Sequence, residues 1–350
     1  MKVTIKELRN IIPTIGTTIT PIIQSEPGCG KTSLLKMLES DLGDKYDYIY
    51  VDCPVKDMSD IAMTIPNHDT KSLEHYVGTI FKLDSNKPKV ILLDEFMKAP
   101  KLLQVMFTRL MLERTIGDTP LPEGSIVFGT SNNQSDGVGD GMLAHSGNRV
   151  CIMRMEKPSV DEWLVWATEN SVSHLVRAFV HTFPRCLASY LDEGQENNPY
   201  IFNPKKQQLS FVSPRSLDKC SVIVENHEKL GDNATMCALS GTIGQSASVD
   251  FSAFLRLEKD LPVFTDIITS PMSAKIPEQK SAQLMLMFQA VDKMDNSATL
   301  TSFMKYLNRI ESNEMQAVFF SMITLNSKTV KIARNNPEIA KWAKENHYLF

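Results

Sequence analysis

The sequence predicts an α/β protein, a parallel sheet flanked by helices, followed by an all-helical remainder. Three observations predict it. A glycine-rich segment at residues 25–33 separates a short apolar run from a helix-period pattern. Further short apolar runs ending in polar residues alternate with helical segments as far as residue 157. From Pro158 onward the apolar spacing is helical.

The first strand is expected at Ile19-Thr20-Pro21-Ile22-Ile23, and Ser33-Leu34-Leu35-Lys36-Met37-Leu38 opens the first helix after it, which Gly43 can end. Between them lies Ser25-Glu26-Pro27-Gly28-Cys29-Gly30-Lys31-Thr32. This is the G-x-x-x-x-G-K-[ST] phosphate loop with serine in place of the first glycine. Gly28 and Gly30 let backbone amides converge on phosphate oxygens without Cβ interference, and the helix presents its N-terminus to the same oxygens. Lys31 is expected to bridge the β- and γ-phosphates, and Thr32 to offer its hydroxyl to Mg2+. The alternative is a glycine-rich turn with a surface lysine; the strand-loop-helix context argues against it. Ser25 is expected to alter affinity more than identity.

A phosphate loop needs an acid on a neighbouring strand. Val90-Ile91-Leu92-Leu93-Asp94-Glu95 supplies it, and four consecutive apolar residues suit a strand buried on both faces. Asp94 would then hold Mg2+ through water at the strand's C-terminal end, and Glu95 would act as general base. Other strands are expected at residues 46–51, 125–130 and 150–153, with a helix over residues 99–113 whose Leu102, Leu103, Met106, Leu110 and Met111 share a face.

The chain has 350 residues, 42% hydrophobic and 22% charged, so it is globular and long enough for two or three domains. The formal charge of -4 and the lack of a basic tail do not indicate nucleic acid; Lys205-Lys206 and the lysines from Lys82 to Lys89 read as solvated faces. The six cysteines show no metal or redox pairing, the seven histidines no ligand spacing, and no apolar run is long enough to span a membrane. The apolar stretch at residues 11–23 lacks a cleavage site and is rejected as a signal segment. A cytoplasmic protein is expected.

With these residues in place the chain resembles the AAA+ ATPases. The order is phosphate loop, Asp94-Glu95, Asn132 after the next strand, then Asn148-Arg149 before the last. The finer resemblance is to MoxR-type members of bacteria and their phages. It rests on Asp94-Glu95-Phe96-Met97-Lys98-Ala99-Pro100, Arg114-Thr115-Ile116-Gly117 with Leu121-Pro122, Met155-Glu156-Lys157-Pro158 with Glu162-Trp163, and Ser213-Pro214-Arg215-Ser216. It covers roughly residues 5–225, and is looser beyond.

The resemblance implies an AAA+ P-loop parallel sheet flanked by helices over residues 1–157, an all-α lid over 158–262, and a helical C-terminal extension over 263–350. It implies that Asn132 is sensor 1, that Arg149 is an arginine finger reaching the next subunit's nucleotide (Arg154 being a weaker rival), and that Arg215 is sensor 2. A finger acting in trans implies a homo-oligomeric ring, most often a hexamer, using ATP and Mg2+. MoxR-type proteins act as chaperones on protein clients with partners carrying a von Willebrand factor A domain. The rival readings are a nucleic-acid-directed loader or restriction-type motor, and a slow ATP-dependent structural switch. Two inserts are candidates to face a pore: residues 57–83, with His75-Tyr76-Val77-Gly78, and the hairpin at 113–122. The plainer reading of the first is a surface loop, or a strand packing Tyr76 on the core.

Overall fold

The computed structural model describes residues 2–133 and 150–345. They form two compact units, Met1–Lys157 with Asn203–Lys206, and Pro158–Phe202 with Gln207–Phe350.

In the first unit, α1 (Ile5–Ile15) is entered through a reciprocal capping box between Thr4 and Glu7 and buries Leu8 and Ile12. Strand β1 (Thr20–Ser25) leads through the glycine loop into α2 (Ser33–Leu42), which the left-handed Gly43 terminates. Then follow β2 (Asp47–Asp52), the short α3 (Met58–Ile61), an antiparallel hairpin of β3 (Ala62–Asn67) and β4 (Ser72–Val77), and β5 (Lys89–Asp94). Helix α4 (Lys101–Glu113), a small hairpin of β6 (Thr115–Ile116) and β7 (Thr119–Pro120), β8 (Ile126–Asn132) and β9 (Val150–Arg154) complete it.

Five strands make one parallel sheet in the order β2-β5-β8-β1-β9. Along β5, Val90 and Leu92 face a cluster with Leu8, Ile12, Leu34 and Leu38, while Ile91 and Leu93 face one with Leu103, Phe107 and Leu110. Helices α1 and α2 therefore cover one face and α4 the other, so the central strands are apolar on both sides. The chain leaves β1 for β2, returns through β5 and β8, and closes with β9 on β1's other side. The crevice at the C-terminal ends of β1 and β8 is the switch point where such sheets bind ligands.

Gly129 keeps this centre closed. It pairs with Ile22 of β1 and Leu93 of β5, and a Cβ there would lie 2.7 Å from Ile22 Cδ1 and 3.4 Å from the Leu93 carbonyl oxygen. Gly129→Val is expected to destabilise the protein by about 1–3 kcal/mol through overpacking. A thermal midpoint equal to wild type would show that the strands can part at no cost.

Three expectations need correction. Lys89 is no solvated lysine: it is 0% exposed, and its Nζ donates to Asp47 Oδ2 at 2.7 Å and to the Ser85 carbonyl at 3.0 Å. Strand β5 carries it inward at the sheet's start, where an acid on β2 compensates its charge. The insert around residues 62–77 is a hairpin, and Tyr76 stands 57% exposed on it rather than packed in the core. The first strand starts at Thr20, leaving Ile19 exposed.

The second unit is helical. Helix α5 (Val160–Glu169) starts at a Ser159–Glu162 capping box, and α6 (His174–Thr182), α7 (Pro214–Glu225), α8 (His227–Ile243) and α9 (Gln245–Leu255) follow. After α10 (Phe264–Thr269) come α11 (Lys280–Asp292), α12 (Ser297–Leu307), α13 (Asn313–Leu325), α14 (Val330–Arg334) and α15 (Pro337–Glu345). One apolar cluster runs from Trp163 to Trp342, and α11 is buried nearly all round at its centre. Met285, Met287, Met294, Met304, Met315 and Met322 all lie in that core, as gap-filling residues. No described helix is long and apolar enough to cross a membrane.

Candidate nucleotide-binding site

The glycine loop has the backbone that its sequence requires. Gly28 and Gly30 take φ values of 76° and 91°, which only glycine adopts freely. Thr32 is the N-cap of α2, but its side chain caps no helix amide and donates instead to Asp94 Oδ2 at 3.0 Å. The first turn of a ten-residue helix thus has no side-chain cap at the loop, which suits an anion.

Lys31 lies 7% exposed inside the loop. Its Nζ donates to the Ser25 and Glu26 carbonyls at 3.0 and 3.1 Å, to Ser25 Oγ at 3.1 Å and to Asn132 Oδ1 at 3.0 Å. Ser25 is the last residue of β1, in register with Asn132 of β8. Its φ is not among the positive ones, so that position does not require glycine here, and its hydroxyl serves the lysine.

Asp94 ends β5 and is 7% exposed. Three hydroxyls donate to it: Thr32 and Tyr50, the latter at 2.9 Å, to Oδ2, and Thr130 to Oδ1. Partial burial and then the Asp94 carboxylate push the Tyr50 phenol above its ordinary pKa. Thr130 Oγ1 also accepts from the Glu95 amide at 3.2 Å. Glu95 itself sits at φ 50°, ψ 35°, a left-handed conformation that costs a non-glycine residue of order 1 kcal/mol. Gln104, buried on α4, donates to the Met97 and Ala99 carbonyls at 3.3 and 2.9 Å and so braces this turn. Lys98 Nζ meets Glu95 Oε2 at 2.8 Å.

The structure therefore makes two bonded groups joined by the Lys31-Thr32 step of the loop: Lys31 with Ser25, Glu26 and Asn132, and Asp94 with Thr32, Tyr50 and Thr130, to which Glu95 is attached. Pro27, Gly28, Cys29, Gly30 and Ser33 are the loop and helix start around it. Arg149 lies outside the described residues. Arg154 is exposed at the end of β9. Arg215 is exposed in the first turn of α7, in the second unit, behind a Ser213 N-cap. Tyr50 and Thr130 were not expected from sequence: each looks like an ordinary strand residue, and only the pairing of β2 and β8 with β5 shows their place; Lys98 meets Glu95 locally, three residues on.

The donor set fits a hydrated divalent cation carried with phosphates. Thr32 directs its proton to Asp94 and keeps oxygen lone pairs for a cation, while no group of three His, Cys, Asp or Glu side chains among the described residues forms a separate metal site. Cys29, 2% exposed, has its thiol pushed up to about 11, first by burial. At pH 7.5 it is expected to resist iodoacetamide in the native protein while the exposed Cys237 labels. Equal labelling of the two by peptide mapping would contradict that.

The sheet order and the place of the glycine loop decide the architecture. The fold is a P-loop-type core, a five-stranded parallel sheet flanked by helices, with a helical C-terminal part.

A protein-family model described as the viral superfamily 1 RNA helicase core domain matches residues 22–116, the part holding the P-loop and Asp94. No curated protein matches the sequence. Among solved structures, the chain is similar to a candidate ATPase of Cytophaga hutchinsonii at 15% identity, covering 92% of this chain and 81% of that one, with a TM-score of 0.35. It is also similar to the Thermotoga maritima RuvB Holliday junction branch migration motor at 13% identity, covering 77% and 75%, with a TM-score of 0.36.

Proposed function

We propose that this protein is an AAA+ ATPase that hydrolyses ATP with Mg2+ and uses the cycle to remodel protein clients as a MoxR-like ring chaperone. The observation that supports it is the pair of contacts made by successive loop residues at the C-terminal edge of the sheet, Lys31 to Asn132 and Thr32 to Asp94. In this reading residues 25–33 bind the phosphates, and Lys31 exchanges loop carbonyls for phosphate oxygens. Thr32 and Asp94 hold the cation, which neutralises charge on the phosphates. Glu95 takes the proton of the attacking water, and Asn132, the sensor, orients that water.

Arg149 supplies the finger to a neighbouring subunit and Arg215 contacts the nucleotide from the lid, so the working form is a ring, hexameric by family resemblance. The lid is assigned to residues 158–262 and the extension to 263–350. A partner with a von Willebrand factor A domain and a cytoplasmic location follow from the same resemblance.

ATPase assay with mass measurement, with and without nucleotide, tests the shared site. Arg149→Ala is expected to cut turnover of the assembled protein by about 10³-fold. Full activity in the mutant would end the trans-finger assignment.

The helicase-core match favours a second reading, a nucleic-acid-directed motor. Salt-steep binding of DNA or RNA by the Glu95→Gln chain, with no protein client recovered from its native cell, would select it.

A further inference from the structure

Asp94 is the acid on which the metal half of the site depends, and its surroundings are unusually full. A carboxylate has about four lone-pair positions. Here Oδ2 accepts from Thr32 Oγ1 at 3.0 Å and from the Tyr50 hydroxyl at 2.9 Å, and Oδ1 accepts from Thr130. Thr32 belongs to the P-loop and Thr130 to the strand carrying Asn132. Tyr50 belongs to neither. It sits on β2, opposite Leu92 in the register, two residues short of the Asp52–Asp94 pair, and its ring is 45% exposed. The phenol therefore reaches along the sheet to the acid at the C-terminal edge. Packing does not require that reach of a ring so exposed; the hydroxyl is what meets the buried carboxylate.

We propose that Tyr50 is a positioning residue for the metal half of the site. Together with Thr32 and Thr130 it fixes the plane of the Asp94 carboxylate and leaves one acceptor position, on Oδ1, for the water shell of a divalent cation. Without the phenol, Oδ2 loses one of its two donors and the carboxylate is held by Thr32 and Thr130 alone, so the cation meets a less organised partner. Tyr50 thereby couples Mg2+ binding to nucleotide binding, while the phosphates themselves are held by the loop. The inference rests on the reading of residues 25–33 and Asp94 as an ATP site.

The test is titration of a fluorescent ATP analogue, N-methylanthraniloyl-ATP, into the full chain in excess Mg2+ and again in EDTA. Tyr50→Phe removes one oxygen and keeps the ring. It is expected to lower the gain in affinity brought by Mg2+ by about tenfold, as loss of a hydrogen bond to a charged group does, and to leave affinity in EDTA within about twofold of wild type. An unchanged Mg2+ gain, or an equal fall with and without Mg2+, would overturn the assignment of Tyr50 alone. If wild type itself shows no Mg2+-dependent binding, the ATP-site reading fails and takes the inference with it.

Discussion

Glu95→Gln is expected to reduce ATP turnover by about 10²–10⁴-fold, the range for loss of a general base. The carboxamide has nearly the same shape and can still accept from Lys98, which lies 2.8 Å from the carboxylate. The left-handed backbone at Glu95 is held by the Thr130 hydroxyl, the Lys98 amide bond to the Glu95 carbonyl at 2.8 Å and the Gln104 brace, none of which needs the acid. Nucleotide affinity is therefore expected to stay within about threefold, because the groups assigned to the phosphates are untouched; the loss then falls on kcat. Steady-state turnover measured beside equilibrium binding checks both halves. Turnover near wild type would remove Glu95 from the chemistry, and a parallel collapse of binding would make it structural.

The second large effect concerns stability. Asp47→Ala leaves the Lys89 ammonium in an apolar position with the Ser85 carbonyl still accepting from it. Breaking a buried pair by removing one partner costs about 3–5 kcal/mol, and the remaining carbonyl together with Asp47's own 18% exposure places the expected loss at the lower end, about 3 kcal/mol. Replacing both residues, Asp47→Ala with Lys89→Met, is expected to recover most of it, since no charge is then stranded. Urea unfolding of the three variants decides; a single mutant as stable as wild type refutes the buried pair.

The same pair gives a pH dependence. The Lys89 ammonium, hydrogen bonded to Asp47, holds that carboxyl below its ordinary range. A folded-state pKa below the unfolded one stabilises the fold above the unfolded value, near 3.9, and that stability is lost as pH falls toward the folded value. The difference in thermal midpoint between wild type and Asp47→Ala is expected to shrink below about pH 4.

The site was legible where chemistry imposes spacing. The P-loop carries fixed residue types at fixed offsets, the unbroken apolar run from Val90 to Leu93 before Asp94-Glu95 announces a strand covered on both sides, and Asn132 was singled out by family resemblance. What was missed depends on contacts between distant segments. Tyr50 and Thr130 read as strand residues until register places them beside Asp94. Lys89 looks like one more lysine in a polar stretch, and only Asp47, 42 residues away, accounts for its burial. Helix α1 was overlooked although Thr4 and Glu7 signal its start, because Pro13 and the threonines that follow read as irregular. The 57–83 insert reads as a surface loop or as a strand packing Tyr76, whereas its residues 62–77 form a two-stranded hairpin that exposes Met63 and Tyr76 together.

The two hairpins share a buckle. His75 Nδ1 lies 2.5 Å from Asp118 Oδ2, and Arg109 of α4 donates to the Gly117 carbonyl at 2.8 Å. A Cβ on Gly117 would come within 3.0 Å of His75 Cβ, so the contact is close as well as polar. Arg109 rides on a helix of 13 residues, about 20 Å long, whose other end follows directly on the turn that carries Glu95 and Lys98. A continuous path of one turn, one helix and two bonded hairpins thus runs from Glu95 to His75.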